Sequence, residues 1–129
     1  MRSAFLSGRL GRDPELHSPQ GSDYSALNFS IANSDESKKK QDGSFESVTS
    51  WFDVVFWTKK PQDWLRKLHK GDNVVIECEA KQETWEKDGT AHSRIKFVVK
   101  FGSYPVVVPK TEAENNAPPV MDSKAPWEM

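Results

Sequence analysis

Residues 50–60, SWFDVVFWTKK, carry large apolar side chains at almost every position. In a strand, successive side chains point to opposite faces, and a small domain buries only one of those faces. Phe52, Val54 and Phe56 make an acceptable inner row. The other row is then Trp51, Asp53, Val55 and Trp57, which sets a carboxylate between two indoles. A ring left in water forgoes the roughly 1.5–3 kcal/mol gained by burying a large apolar side chain. Something is therefore expected to cover those two rings.

The flanking sequence supplies the rest of a sheet. Residues 3–10, SAFLSGRL, form a strand candidate ended by the turn signal GRDP. Between Tyr24 and Asn33, Leu27, Phe29 and Ile31 recur at period two and predict a half-buried second strand. Residues 34–47 show no apolar period and contain DG, so a long polar loop is expected before the third strand, the quoted stretch. Pro61 suits a first helical turn, Trp64, Leu65 and Leu68 share one face, and Gly71 sits where a C-cap would. A short helix over 61–69 follows, with Trp64 assigned to core packing. In the fourth strand Val74, Ile76, Cys78 and Ala80 alternate with Val75, Glu77, Glu79, Lys81, Glu83 and Trp85. Cys78 reads as an inert core thiol. Residues 86–89, EKDG, signal a hairpin. The returning strand alternates Ile95, Phe97, Val99 and Phe101 with Arg94, Lys96, Val98 and Lys100.

Five antiparallel strands with one short helix between strands 3 and 4 is the element order of an all-β, five-stranded OB-fold barrel. The glycines of residues 8–11, GRLG, fit a twist or bulge where such a barrel closes. They fit the GXXG loop of a KH domain less well, because that loop joins two helices. The OB domain is expected over 1–109. Residues 110–129 are polar, hold Pro118 and Pro119 side by side and lack periodicity, so a disordered C-terminal tail is expected there.

Composition bounds the function. The chain has 129 residues, one domain plus a tail in size, with 36% hydrophobic and 29% charged residues. No apolar run approaches the roughly 18–20 residues needed to cross a bilayer, and no secretory signal is visible. The single cysteine excludes an intramolecular disulfide and fits a reducing compartment, so a cytoplasmic protein without a membrane partner is expected. His17, His69 and His92 are scattered, and neither a metal nor another cofactor is expected. There is no phosphate-binding loop and no nucleophile set. Glu77, Glu79 and Glu83 alternate as a solvated face would, so no enzyme is expected. The net charge of −1 is uneven: four acids and one base follow residue 110, leaving 17 bases and 15 acids in residues 1–110.

By parity Trp85 joins Trp51 and Trp57 on polar rows, beside Lys81, Arg94, Lys96 and Lys100. A lone outward indole commonly tucks under a loop or into a subunit interface. Residues 38–40, KKK, taken alone are a solvated charge cluster. Three indoles interleaved with bases instead suit unpaired nucleobases. Base–aromatic stacking is worth about 1–3 kcal/mol per base, while nearby cations track the phosphates.

The segments GRLGRDPEL, ALNFSIAN, SWFDVVFW, LHKGDNVVIE and TWEKDGT occur here in the order seen in bacterial-type single-stranded DNA-binding proteins. Over roughly residues 1–101 the chain resembles this SSB family. The resemblance implies an OB fold, a homotetramer, and coating of single-stranded DNA without sequence preference in replication, recombination and repair. It implies base stacking on Trp51, Trp57 and Trp85, the three positions that parity selects. Phosphate contacts are assigned by charge and expected exposure to Arg9, Arg12, Lys59, Lys81, Lys87, Arg94 and Lys96.

Two features depart from the family. Residues 33–36, NSDE, offer no aromatic at the end of strand two, where Phe45 across the loop is a substitute. The chain ends in MDSKAPWEM, whereas the family's tail ends in an acidic run closed by Pro-Phe. Asp122, Pro126, Trp127 and Glu128 are the tail residues through which replication or repair proteins would dock. The unusual tail suits a phage- or plasmid-encoded copy as well as a chromosomal one. The rival readings are an OB-type interaction module of a primosome, an RNA-binding OB domain of the cold-shock kind, and a nuclease.

Overall fold

In a computed structural model, which describes residues 1–109, the alternation of the quoted stretch is realised in strand β4 (Phe45–Thr58). Val54 and Phe56 point inward, 1% and 3% exposed, opposite Phe29 and Leu27 of β3 (Ser25–Lys39). The remaining elements are β1 (Ser3–Leu10), β2 (Glu15–His17), α1 (Pro61–Lys67), β5 (Asn73–Lys87), β6 (Thr90–Val99) and β7 (Val106–Val107). Apolar residues of β1, β3, β4, β5 and β6 fill one interior with Leu68, just after α1; Trp64 and Leu65 of α1 pack against it.

The strands close into a ring, β1-β3-β4-β6-β5 and back to β1, with β2 appended to β3 and β7 to β5. This is an OB-fold barrel. Closure removes the open edges of the barrel wall itself, beyond which the β3–β4 and β5–β6 arms project as two-stranded ribbons. The expectation of antiparallel pairing throughout is corrected at one seam, where β4 and β6 run parallel through Val54↔Phe97 and Val55↔Val98. Directions cannot alternate all the way round a ring of five, so one neighbouring pair must be parallel. The chain reaches that seam by crossing over through α1 and β5, as a parallel pair requires.

The polar loop expected over 34–47 is mostly ladder. β3 continues to Lys39 and β4 begins at Phe45, with a register shift between Asn33 and Glu36. This arm has solvent on both faces, so its side chains carry no apolar period although its backbone stays paired. The β5–β6 arm does the same, and its turn at Asp88 and Gly89 has φ of 54° and 78°, as a two-residue hairpin demands. Ile95 lies on that arm and is exposed. Phe101 is also exposed, because β6 stops at Val99 before the predicted inner row ends. The helix stops at Lys67. Gly71 (φ 88°) serves the next turn, donating its N–H to the Leu10 carbonyl at 2.8 Å. Among the described residues no helix is long and apolar enough to cross a membrane. The tail expectations lie outside the described residues.

Cys78 is fully buried, its Sγ 3.4 Å from the Ala4 carbonyl oxygen. Burial, with the Glu77 charge beside it, pushes the thiol up to about 11. Gly8 pairs with Val74 of β5 and precedes Arg9, which pairs with both Asn73 of β5 and Ala32 of β3. A Cβ there would collide with the Ala32 carbonyl oxygen and with Cγ2 of Ile31. Gly8→Ala should therefore lower stability by about 1–3 kcal/mol, the range for overpacking. Urea unfolding measures it, and a midpoint equal to that of the parent would show the seam to be slack.

Candidate nucleic-acid interface

The outward row of β4 meets small residues on β3. Trp51 stands opposite Ala32 and Trp57 opposite Ala26, and both alanines are buried. An alanine partner sets no bulky side chain between the ring and the sheet. Trp51 is half-buried, and Trp57 is 43% exposed. Asp53, between them, faces Ser30, whose hydroxyl donates to its carboxylate at 2.9 Å. The row's one negative charge is thus held down on the sheet. Arg9 enters the same lateral line through its pairing with Ala32, and its guanidinium donates to the Gly71 carbonyl at 3.1 Å.

Trp85 rises on the β5–β6 arm. Its ring is 42% exposed and lies parallel to the cross-strand His92 ring, at 5.6 Å and 19°. The Arg94 guanidinium sits 5.6 Å from the same indole. Two steps away Lys81 is paired with Lys96. Like charges directly opposite one another weaken a sheet, so this pair is not explained by stability. Glu83 relieves it. The carboxylate accepts from Arg94 at 2.9 Å and lies 3.4 Å from Lys96. The hydrogen bond from Arg94 and the charge on Lys96 hold the Glu83 carboxyl below its ordinary 4.5.

Below Trp57 the surface folds into a cleft of about 370 Å³. Trp64 of α1 forms one wall, stacked on Tyr104 at 5.8 Å and 12°, with Phe56 edge-on to both rings. Tyr24 stands at the margin with the Lys59 ammonium 5.2 Å from its ring centre.

A profile of the "Single-strand binding protein family" matches residues 1–103. The chain belongs to that family. Three similar curated relatives are each named single-stranded DNA-binding protein. That of Aquifex aeolicus is 31% identical over 78% of this chain and 67% of its own length. That of Borreliella burgdorferi is 35% identical over 74% and 62%, and that of Treponema pallidum 33% over 71% and 51%. The matches thus cover about half to two thirds of the relatives' lengths. Among solved structures, the Plasmodium falciparum SSB in complex with ssDNA superposes with a TM-score of 0.72 at 20% identity, over 84% of this chain and 96% of that one. A deletion mutant of the Thermus aquaticus single-stranded DNA binding protein gives 0.66 at 23%, over 82% and 50%. At these identities the likeness is one of fold.

On this family barrel the residues singled out in the sequence fall into groups. Trp51 and Arg9 share one lateral line. Trp57 and Lys59 stand together beside the cleft, and Trp85, Lys81, Arg94 and Lys96 share the β5–β6 arm. Lys87 ends that arm opposite Thr90. Arg12 stands apart in the turn after β1, paired with Glu15 at 3.2 Å. Phe45 is exposed at the far end of β4, opposite Lys39. Asp122, Pro126, Trp127 and Glu128 lie outside the described residues. Sequence reasoning missed Tyr24, Lys60 and Tyr104, and it placed Phe101 in the core. No spacing rule links them, because they come from the residue before β3, the approach to α1 and the turn after β6. His92, read in the sequence only as a scattered histidine, could have been set opposite Trp85 by counting back from the two-residue turn at Asp88 and Gly89.

Glu83 tests the local electrostatics. Its lowered pKa means that the contacts with Arg94 and Lys96 are complete at neutral pH and are lost as acid carries the pH down through the folded value, below 4.5. Carboxyl NMR titration should show this, and Arg94→Ala should move the midpoint back up. An unmoved midpoint would mean that Arg94 does not hold the carboxylate.

Proposed function

We propose that this chain binds single-stranded DNA without sequence preference, coating and protecting it in replication, recombination and repair. The observation that carries the reading is the outward set of indoles, with Trp57 and Trp85 each more than two-fifths exposed, Lys59 beside Trp57, and Lys81, Arg94 and Lys96 on the arm that carries Trp85. Family membership supports it.

Bases stack on Trp51, Trp57 and Trp85. Arg9, Arg12, Lys59, Lys81, Lys87, Arg94 and Lys96 neutralise phosphates, with Arg94 and Lys96 exchanging Glu83 for the backbone. A flexible unpaired strand offers base faces to the rings, whereas a duplex hides them. Residues 1–109 form the DNA-binding domain. The protein works in the cytoplasm, binding without catalysis and using no cofactor. Copies associate as a homotetramer. The outer face of β1, β5 and β7 supports this, since Phe5, Val75 and Val106 stand exposed there on one side of the sheet. Asp122, Pro126, Trp127 and Glu128 recruit replication or repair enzymes.

Adding polythymidine at low salt should quench the tryptophan fluorescence strongly, and duplex DNA should not. Affinity should fall with salt as counterions are displaced. Undiminished fluorescence would contradict the stacking. In solution the mass should be four times that of the chain, and Phe5→Asp should reduce it; a monomeric parent would contradict the assembly. Removing residues 122–129 should weaken capture of replication or repair enzymes without weakening DNA binding, and equal capture would contradict the docking role.

A further inference from the structure

The cleft beside Trp57 is concave, aromatic and cationic at once. Trp64, stacked on Tyr104, lines one part of it. Phe101 lines another and is 94% exposed, an isolated ring whose exposure no packing accounts for. Lys59, Lys60 and Lys100 also line it, and none of the described residues in its lining is acidic. Lys100 is engaged by Glu77 at 3.6 Å, which leaves Lys59 and Lys60 as the cations most open to a ligand. Its volume, about 370 Å³, lies at the low end of the roughly 300–1,000 Å³ typical of small-ligand pockets. That suits one nucleotide and is too small for a folded partner.

We propose that this cleft is a subsite for one unpaired nucleotide of the bound strand, its base against Phe101 and Tyr104 and its phosphate on Lys59 and Lys60. Trp57 belongs both to the outward row of β4 and to the cleft wall, so a strand stacked on Trp57 leads directly into it. The ring surfaces supply stacking that tolerates any base. The two ammonium groups supply the counter-charge, and the lack of acidic lining spares the phosphate any repulsion. The subsite rests on the single-stranded DNA reading above and extends its path around the lower end of the barrel.

Binding of a thymidine oligonucleotide to the full chain, followed by fluorescence anisotropy across a salt series, tests this. Phe101→Ala should weaken binding about 5- to 150-fold, the equivalent of one lost stack, while Phe101→Tyr retains it. Lys60→Ala should flatten the slope of log affinity against log salt by about 0.7, the loss of one phosphate contact. Both side chains are exposed, so neither change endangers the fold. If the parent binds and both alanine variants match it in affinity and slope, the cleft is not on the DNA path and only this inference falls. A parent that fails to bind the oligonucleotide removes the DNA reading and the subsite together.

Discussion

The cross-strand register of β3 and β4 governs everything built on this barrel. Leu27 against Phe56 and Phe29 against Val54 set the inner row, and the same ladder sets Ala26 against Trp57 and Ala32 against Trp51 outside. A slip of one residue would turn every side chain over, sending the indoles inward and the core into water. Because the ring is closed by β1 pairing with both β3 and β5, neither strand of the ladder can slide without breaking a second one. The same rows that fill the core thereby hold Trp51 and Trp57 at fixed places on the surface.

Charge is managed on that surface as carefully as shape. Asp53 is held by Ser30, Glu77 faces Lys100, and Glu83 lies between Arg94 and Lys96. The ion pairs of Lys100, Arg94 and Lys96 add little stability, since exposed ion pairs contribute about 0–1 kcal/mol. The Lys81↔Lys96 pairing is the opposite of what sheet stability favours, and it sets two cations side by side on the β5–β6 arm.

Much of this was legible in the residues. Period two in Leu27, Phe29 and Ile31, and in Val74, Ile76 and Cys78, named side chains that the barrel buries. The same parity put Trp57 and Trp85 on the surface. The parallel seam was not legible, because pattern gives strand faces and not the direction of neighbours. The two hairpin arms were read short or as loop, since solvent on both sides erases the alternation that marks a strand. β2 and β7, at three and two residues, are too brief to show a period. Phe101 was misplaced because alternation continues in the sequence after backbone pairing has ended at Val99. The cleft below Trp57 was invisible for a different reason: it exists only once α1 and the turn after β6 are packed beside β4.

The chain has five tryptophans, so the central claim is open to a direct measurement. Indole N–H resonances, recorded while a thymidine oligonucleotide is added, report which rings meet the ligand. The account predicts that Trp51, Trp57 and Trp85 shift together and saturate at one stoichiometry. Signals from those three that stay unmoved while the oligonucleotide binds would contradict it.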